Sequence, residues 1–269
     1  MYIYTSEDHF NCNQCLNGNI YSEYAMKRLT GIFLTLLLIC SAALAAAAEP
    51  CRTRSLDFGQ KAAGWTHRPL SMLKKDTVYT LTQADGRTVL RGAADGSASF
   101  FVSRFKSAME VPASISWRWK TDALVSGADN RDKKREDAPL RVIVGFDGDH
   151  ATLPEVEKKR FKRAKSLSGR DLPYALLMYI WSDHVPVNTV IPSAHTSQVK
   201  MLVAASGTGG LGQWQTVKRN LADDYRLAFG AAPGPVLGVA VMTDTDNTGT
   251  RATGEYADIL MECSGNRPE

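Results

Sequence analysis

LRVIVGF, residues 140–146, is the stretch whose reading decides the fold. In an extended chain successive side chains point to opposite faces, so Leu140, Val142, Val144 and Phe146 share one face and Arg141, Ile143 and Gly145 the other. The same period of two recurs outward from it. In ISWRWK (115–120), Trp117 and Trp119 fall on one face and Arg118 on the other. In ALLMYIW (175–181), Leu177, Tyr179 and Trp181 oppose Leu176, Met178 and Ile180. Shorter runs of this kind lie at 78–82, 99–103, 199–204, 215–219, 236–242 and 256–262. Strand-like runs separated by Gly, Asp and Asn turns predict a mainly all-β domain, a jelly-roll-like antiparallel β-sandwich. No fixed-period repeat and no βαβ alternation is visible, which argues against a nucleotide-binding fold.

One segment departs from the pattern. Residues 153–168 read as a helical insert, with Thr152 as its cap and Gly169 as its stop. Its acids come early and its bases late, as the helix dipole favours. Such a basic helix is either a solvated cover over one end of the sandwich or a contact for an anionic envelope polymer. It lacks interleaved aromatics, so no nucleic-acid partner is expected.

Composition is that of a globular chain: 269 residues, 44% hydrophobic, 22% charged, formal net charge +4. Met26-Lys27-Arg28 precedes an apolar run (29–39) and a small-residue tract (41–48) with A-x-A sites. That order describes a signal peptide over residues 26–48. Residues 1–25 then read as an over-extended start, and 49–269 as one β-sandwich domain. The expected location is periplasmic or secreted, with no transmembrane segment once the signal is cleaved. Cys51 and Cys263 are the cysteines left at the two ends of the mature chain. An oxidising compartment favours a disulfide between them over two separate buried thiols. Closing so long a loop is worth roughly 5 kcal/mol as an upper figure.

Three groups of residues are candidates for chemistry. The loop TDTDNTG (243–249) gathers short oxygen side chains, and Asp244, Asp246, Asn247 and Thr248 are candidate calcium ligands. Asp244, Asp246, Thr248 and Gly249 match positions 1, 3, 5 and 6 of a helix-loop-helix calcium site, and Glu255 position 12. The flanks read as strands, however, so a shorter loop site or a plain Asx turn is the choice. A second group, Asp129 with Asp137, offers paired carboxylates for acid–base work. Its other reading is a solvated connection in which Asp137 pairs with Arg118 or Arg141. Third, Trp117, Trp119, Tyr179 and Trp181, with Arg141 at the rim, would suit stacking on sugar rings if they line a concave sheet face, and core packing if they do not. Neither an H-E-x-x-H nor a G-x-S-x-G motif occurs.

The stretches Trp117-Arg118-Trp119-Lys120, Ala128 to Lys133, Glu136 to Val142, Leu172 to Trp181, Gly212-Gln213-Trp214, Asp223 to Gly230 and Val241 to Gly249 occur in this order. Together they make the mature chain resemble the bacterial secreted family known as domain of unknown function 3047. The resemblance implies a β-sandwich, jelly-roll-like domain with a helical insert before Leu172, and no settled activity. A departure falls at Glu255-Tyr256-Ala257-Asp258, where the family tends towards an aromatic-Tyr-Gly string. Function is read as non-catalytic binding of a glycan-like ligand. The alternatives are a cell-envelope polysaccharide hydrolase or lyase using Asp129, Asp137 and Asp244, and a structural partner in envelope assembly.

Overall fold

The computed structural model describes residues 47–169 and 171–264. The expected signal peptide and the segment before it lie outside the described residues, apart from positions 47 and 48. From Ala48 onward the described residues form one compact unit.

Its strands, in chain order, are β1 (Arg54–Ser55), β2 (Trp65–Pro69), β3 (Val78–Ala84), β4 (Arg87–Asp95), β5 (Ser99–Met109), β6 (Ser114–Lys120) and β7 (Ala138–Phe146). They continue with β8 (Ala175–Ser182), β9 (Val190–Pro192), β10 (Val199–Ser206), β11 (Gln215–Asn220), β12 (Val236–Asp244) and β13 (Arg251–Glu262). A helical turn α1 (Gly59–Ala62) and two helices, α2 (Glu155–Ser168) and α3 (Leu221–Phe229), complete the described elements. One sheet has the order β11-β6-β13-β4-β3 with β1 added on β13; the other runs β2-β5-β12-β7-β8-β10-β9. The expected β-sandwich is therefore present. One pairing between these strands is not antiparallel: β10 lies parallel to β8. A parallel neighbour needs a crossover, and residues 183–198, which include β9, supply it.

The inner faces of the sheets meet on four rings. Trp117 and Trp119 of β6 stand edge to face, with centroids 5.3 Å apart. Tyr179 and Trp181 of β8 approach them from the opposite sheet, at 4.9 Å (Trp117–Tyr179) and 6.1 Å (Trp119–Trp181). All four are at most 1% exposed. The expectation that these rings form a ligand-facing surface is thus corrected, because their faces are covered by each other and by the core. The other face of the seven-stranded sheet is apolar too, with Ile143, Met178, Ile180, Met201, Val203 and Met242 buried there. That explains why 140–146 and 175–181 read as nearly continuous apolar runs.

Local chemistry sets the turns. Asp85 and Gly86 link β3 to β4 with φ of 50° and 74°, the paired positive values of a type I′ hairpin turn. Helix α2 ends on Gly169 in the left-handed region at φ 68°, as read from the sequence. Its start differs from expectation. Pro154 is the N-cap, and Thr152 belongs to a preceding 3-10 turn (His150–Thr152) capped by Asp149. Helix α3 is an element the period-two reading passes over. Asn220 caps it by accepting from Asp223 N, and Gly230 ends it at φ 72°.

Cys51 and Cys263 are bonded, with Cα atoms 5.8 Å apart across a sequence separation of 212. β1, just after Cys51, pairs with β13, just before Cys263. The bond therefore fastens a pairing of only two residues. Replacing both cysteines with serine should lower the urea-unfolding free energy by about 2–5 kcal/mol. Equal stability of the wild type with and without reductant would show that the β1–β13 pairing needs no tether.

Candidate functional site

The loop 243–249 and the 129–137 connection form one buried charge network. Arg141 points off the outer side of β7 with only 4% of its side chain exposed, and its Nη2 donates to Asp244 Oδ2 at 2.9 Å. It also donates to the Glu136 carbonyl. Asp137, 1% exposed, accepts from Asn247 N (3.1 Å), Thr248 N (2.7 Å) and Thr248 Oγ1 (2.6 Å). Lys74 pairs with Asp246. Oxygens of Asp137, Asp244 and Asp246 all lie within 4.8 Å of one another. Burial pushes the Asp244 carboxyl well above its ordinary range; Arg141 pulls it back, and the neighbouring carboxylates of Asp137 and Asp246 raise it further.

Each residue singled out in the sequence can now be placed. Asp244, Asp246 and Asp137 come together. Asn247 contributes its backbone N–H to Asp137 and its side-chain amide to the Lys133 carbonyl (3.3 Å). Thr248 donates its hydroxyl to Asp137 Oδ2 at 2.6 Å. Glu255 lies on β13 opposite β6 and pairs with Lys120 at 2.9 Å, which removes it from the loop's ligand set. Asp129 holds its own turn, accepting from Arg131 N at 3.0 Å and facing Arg135 at 3.6 Å. Asp129 and Asp137 are thus committed to different partners, and the carboxylates grouped with Asp137 are Asp244 and Asp246. The expected Asp137 bridge to Arg118 or Arg141 is replaced by three hydrogen bonds within the loop pair. Arg141→Leu should cost about 3–5 kcal/mol in denaturant unfolding, because it strands a buried charge. Arg141→Leu combined with Asp244→Leu should recover most of that loss, and an additive double substitution would refute the coupling.

A second place has room for a ligand. Beyond the far end of β7 an open cleft of about 580 Å³ is lined by Asp147, Asp149, Tyr174, Gln198, Lys200 and Phe229, among others. The pairing of Phe146 with Ala175 brings the chain after β7 against the chain before β8. Gly148 is required there: a Cβ would lie 2.5 Å from Tyr174 Cγ, so the ring rests on bare backbone. A Cβ on Gly234, which packs directly against this segment, would lie 2.1 Å from the Asp147 carbonyl oxygen. Asp147 and Asp149 each commit Oδ1 to a nearby backbone N–H, Gly148 at 2.9 Å and Ala151 at 2.8 Å. Among the described residues Oδ2 of neither carboxylate has a hydrogen-bond partner.

Three anchors shape the walls. In α3, Tyr225 stacks on Phe229 at 4.5 Å and meets Phe146 edge to face at 4.6 Å. Burial, helped by nearby Tyr174, pushes the Tyr225 phenol up to about 12, which keeps it a neutral donor. The helix is fixed by Asp224, which accepts from Tyr179 Oη (2.9 Å) and from Arg219 Nε (2.8 Å) and Nη2 (2.6 Å). On the other side Glu157 of α2 accepts from Thr196 Oγ1 (2.8 Å), Ser197 N (3.1 Å) and Ser197 Oγ (3.2 Å), next to cleft residue Gln198. Phe161 of α2 leans on His150, which leans on Tyr174. The insert is therefore a buttress of the cleft.

Burial alone would raise the Glu157 carboxyl, but the bonds from Ser197 and Thr196 and the Arg160 charge outweigh it and leave it below its ordinary value. A depressed folded-state value contributes stability above the unfolded carboxylate range and loses it as pH falls through the folded value. Protection of the 196–198 amides from hydrogen exchange should accordingly weaken below about pH 4 in the wild type. In Glu157→Gln it should be weak at every pH; an unchanged profile would remove the anchor.

Structurally the chain is a two-sheet β-sandwich with a ring-lined cleft beside a helical insert. It belongs to the family described as Protein of unknown function (DUF3047), whose model matches residues 63–260. No curated protein matches the sequence. Among solved structures it is similar to a family 11 carbohydrate-binding module of a cellulosomal cellulase of Clostridium thermocellum, at 7% identity and TM-score 0.42, over 83% of this chain and 100% of that one. It is also similar to a family 30 carbohydrate-binding module from the same organism, at 11% identity and TM-score 0.38, over 73% and 90%. A third is a xylan-binding domain of Paenibacillus barcinonensis, at 14% identity and TM-score 0.28, over 81% and 100%.

Proposed function

We propose that the protein is a non-catalytic binding protein for a glycan-like ligand and that the cleft beside Tyr174 and Phe229 is its site. The observation that carries this is the composition of the cleft: aromatic rings next to Asp147, Asp149, Gln198 and Lys200 around an open volume of about 580 Å³. A sugar ring has an apolar face that stacks on an aromatic ring and a polar edge that needs convergent hydrogen bonds, and both are provided here. Binding is preferred to turnover because Asp137, Asp244 and Asp129 are all engaged in holding turns and ion pairs. The Cys51–Cys263 bond supports a location outside the reducing cytoplasm. Among the described residues no helix is long and apolar enough to cross a membrane.

Retention on a glycan array, followed by calorimetric titration of the retained sugars, tests this reading. Tyr174→Ala and Phe229→Ala should each weaken binding about tenfold, the loss of one stacked ring. Undiminished binding in both variants would move the site elsewhere. Failure of the folded wild type on every glycan would overturn the reading, and release of reducing ends would replace it with the hydrolase alternative. Unaltered glycan chemistry with retention of an envelope protein would favour the assembly role.

A second proposal concerns calcium at the 243–249 loop, favoured by the mutual approach of Asp137, Asp244 and Asp246. An ion there would take Asp246 from Lys74 while Arg141 keeps Asp244. A rise of several degrees in Tm on adding calcium, lost in Asp246→Asn, supports it. A Tm indifferent to calcium and chelator assigns the charge balance to Arg141 and Lys74 alone.

A further inference from the structure

Resting on the cleft reading above, we infer that the ligand carries a protonated amine, an amino sugar as the class, and that Asp147 and Asp149 select it. The charged side chains lining the cleft are Asp147, Asp149 and Lys200, a balance of one net negative charge. Asp147 and Asp149 each hold Oδ1 against a backbone N–H and leave Oδ2 for a ligand. A carboxylate fixed by its own backbone is preorganised, so little side-chain entropy is lost when it accepts from an ammonium group.

The backbone adds to the preference. Ala228 and Phe229, the last residues of α3, line the cleft, so the carbonyl end of that helix borders it. The cap supplies one N–H, from Gly230 to the Arg226 carbonyl, and the later carbonyls keep their partial negative charge. The rings at Tyr174 and Phe229 are also attractive to a cation, through their negatively charged faces. Lys200 opposes these effects. Its removal should therefore strengthen binding of a cationic ligand, which loss of a merely structural lysine would not do.

The test is calorimetric titration of the full-length mature protein with three probes: a β-1,4-linked glucosamine tetramer, its fully N-acetylated counterpart and cellotetraose. In mildly acidic, low-salt buffer the amine form should bind at least tenfold more tightly than the other two. Asp147→Asn with Asp149→Asn retains the amide oxygens that accept from Gly148 N and Ala151 N, and so retains the loop. That double variant should bind all three probes within about twofold of each other, and Lys200→Ala should widen the wild-type preference. Equal affinity of the wild type for the three overturns the amine proposal while leaving the cleft reading intact, provided that Tyr174→Ala weakens all of them. An amine preference that survives the double asparagine variant also overturns it. Binding of none of the tetramers overturns it outright, and the array then decides the cleft reading separately.

Discussion

The interlocking of Trp117, Trp119, Tyr179 and Trp181 between the sheets is the constraint from which the rest follows. Four large rings, each at most 1% exposed, take up the space between β6 and β8. Aromatic side chains of this size bring more apolar surface out of water than any other residue, and edge-to-face contacts add to that. Because β6 and β8 belong to different sheets, the rings also set the spacing and rotation of one sheet on the other. Tyr179 and Trp181 carry polar atoms into this dry region, and each finds a partner at its rim, Asp224 and the Gly207 carbonyl. The tyrosine's partner matters beyond stability. Through Asp224 the core ring is joined to α3, so the packing that closes the sandwich also fixes one wall of the cleft.

Much of the fold was legible because the pattern that betrays a strand is local. Residues 115–120, 140–146 and 175–181 each show their period of two within one short window, and the disulfide followed from compartment and from two remaining cysteines. The face on which the Trp residues lie was legible as well. What lies in front of that face was not, since alternation says which side chains are together and nothing about whether solvent or another sheet meets them. The doubly apolar β7 and β8 held a clue: strands buried on both sides leave no free face for a ligand.

Helix α3 and the cleft were hidden for different reasons. The helix is nine residues long and framed by Asn220, Asp223 and Gly230, so its caps were readable, but about two and a half turns are too short for a period of 3.6 to stand out against the surrounding strand pattern. The cleft is assembled from segments at 147–149, 174, 197–200 and 225–234, none of which carries a motif by itself. The pairings of β7 with β8, of β8 with β10 and of β12 with β7 bring them together. Gly148 and Gly234 were the local signals, since each occupies a place where a side chain would collide, yet a glycine in a loop has many simpler explanations.

Strand β7 joins two sites of opposite character. It is nine residues long, so about 30 Å separates its ends. Before its first residue stands Asp137, with its carboxylate bonded by Asn247 and Thr248, next to an Asp244 matched by Arg141. After its last stands Asp147, held by one backbone N–H and otherwise open to the cleft. The residue type is the same at both ends, and the difference lies in the loops that face them. At one end Asn247 and Thr248 of the facing loop fold over the carboxylate and satisfy it. At the other a tyrosine ring lies on the bare backbone of Gly148, and the Asp147 carboxylate lines the cleft. The proposed binding therefore fits the second end, where fixed charge meets room for a partner, while at the first end the Arg141–Asp244 pair ties β7 to β12.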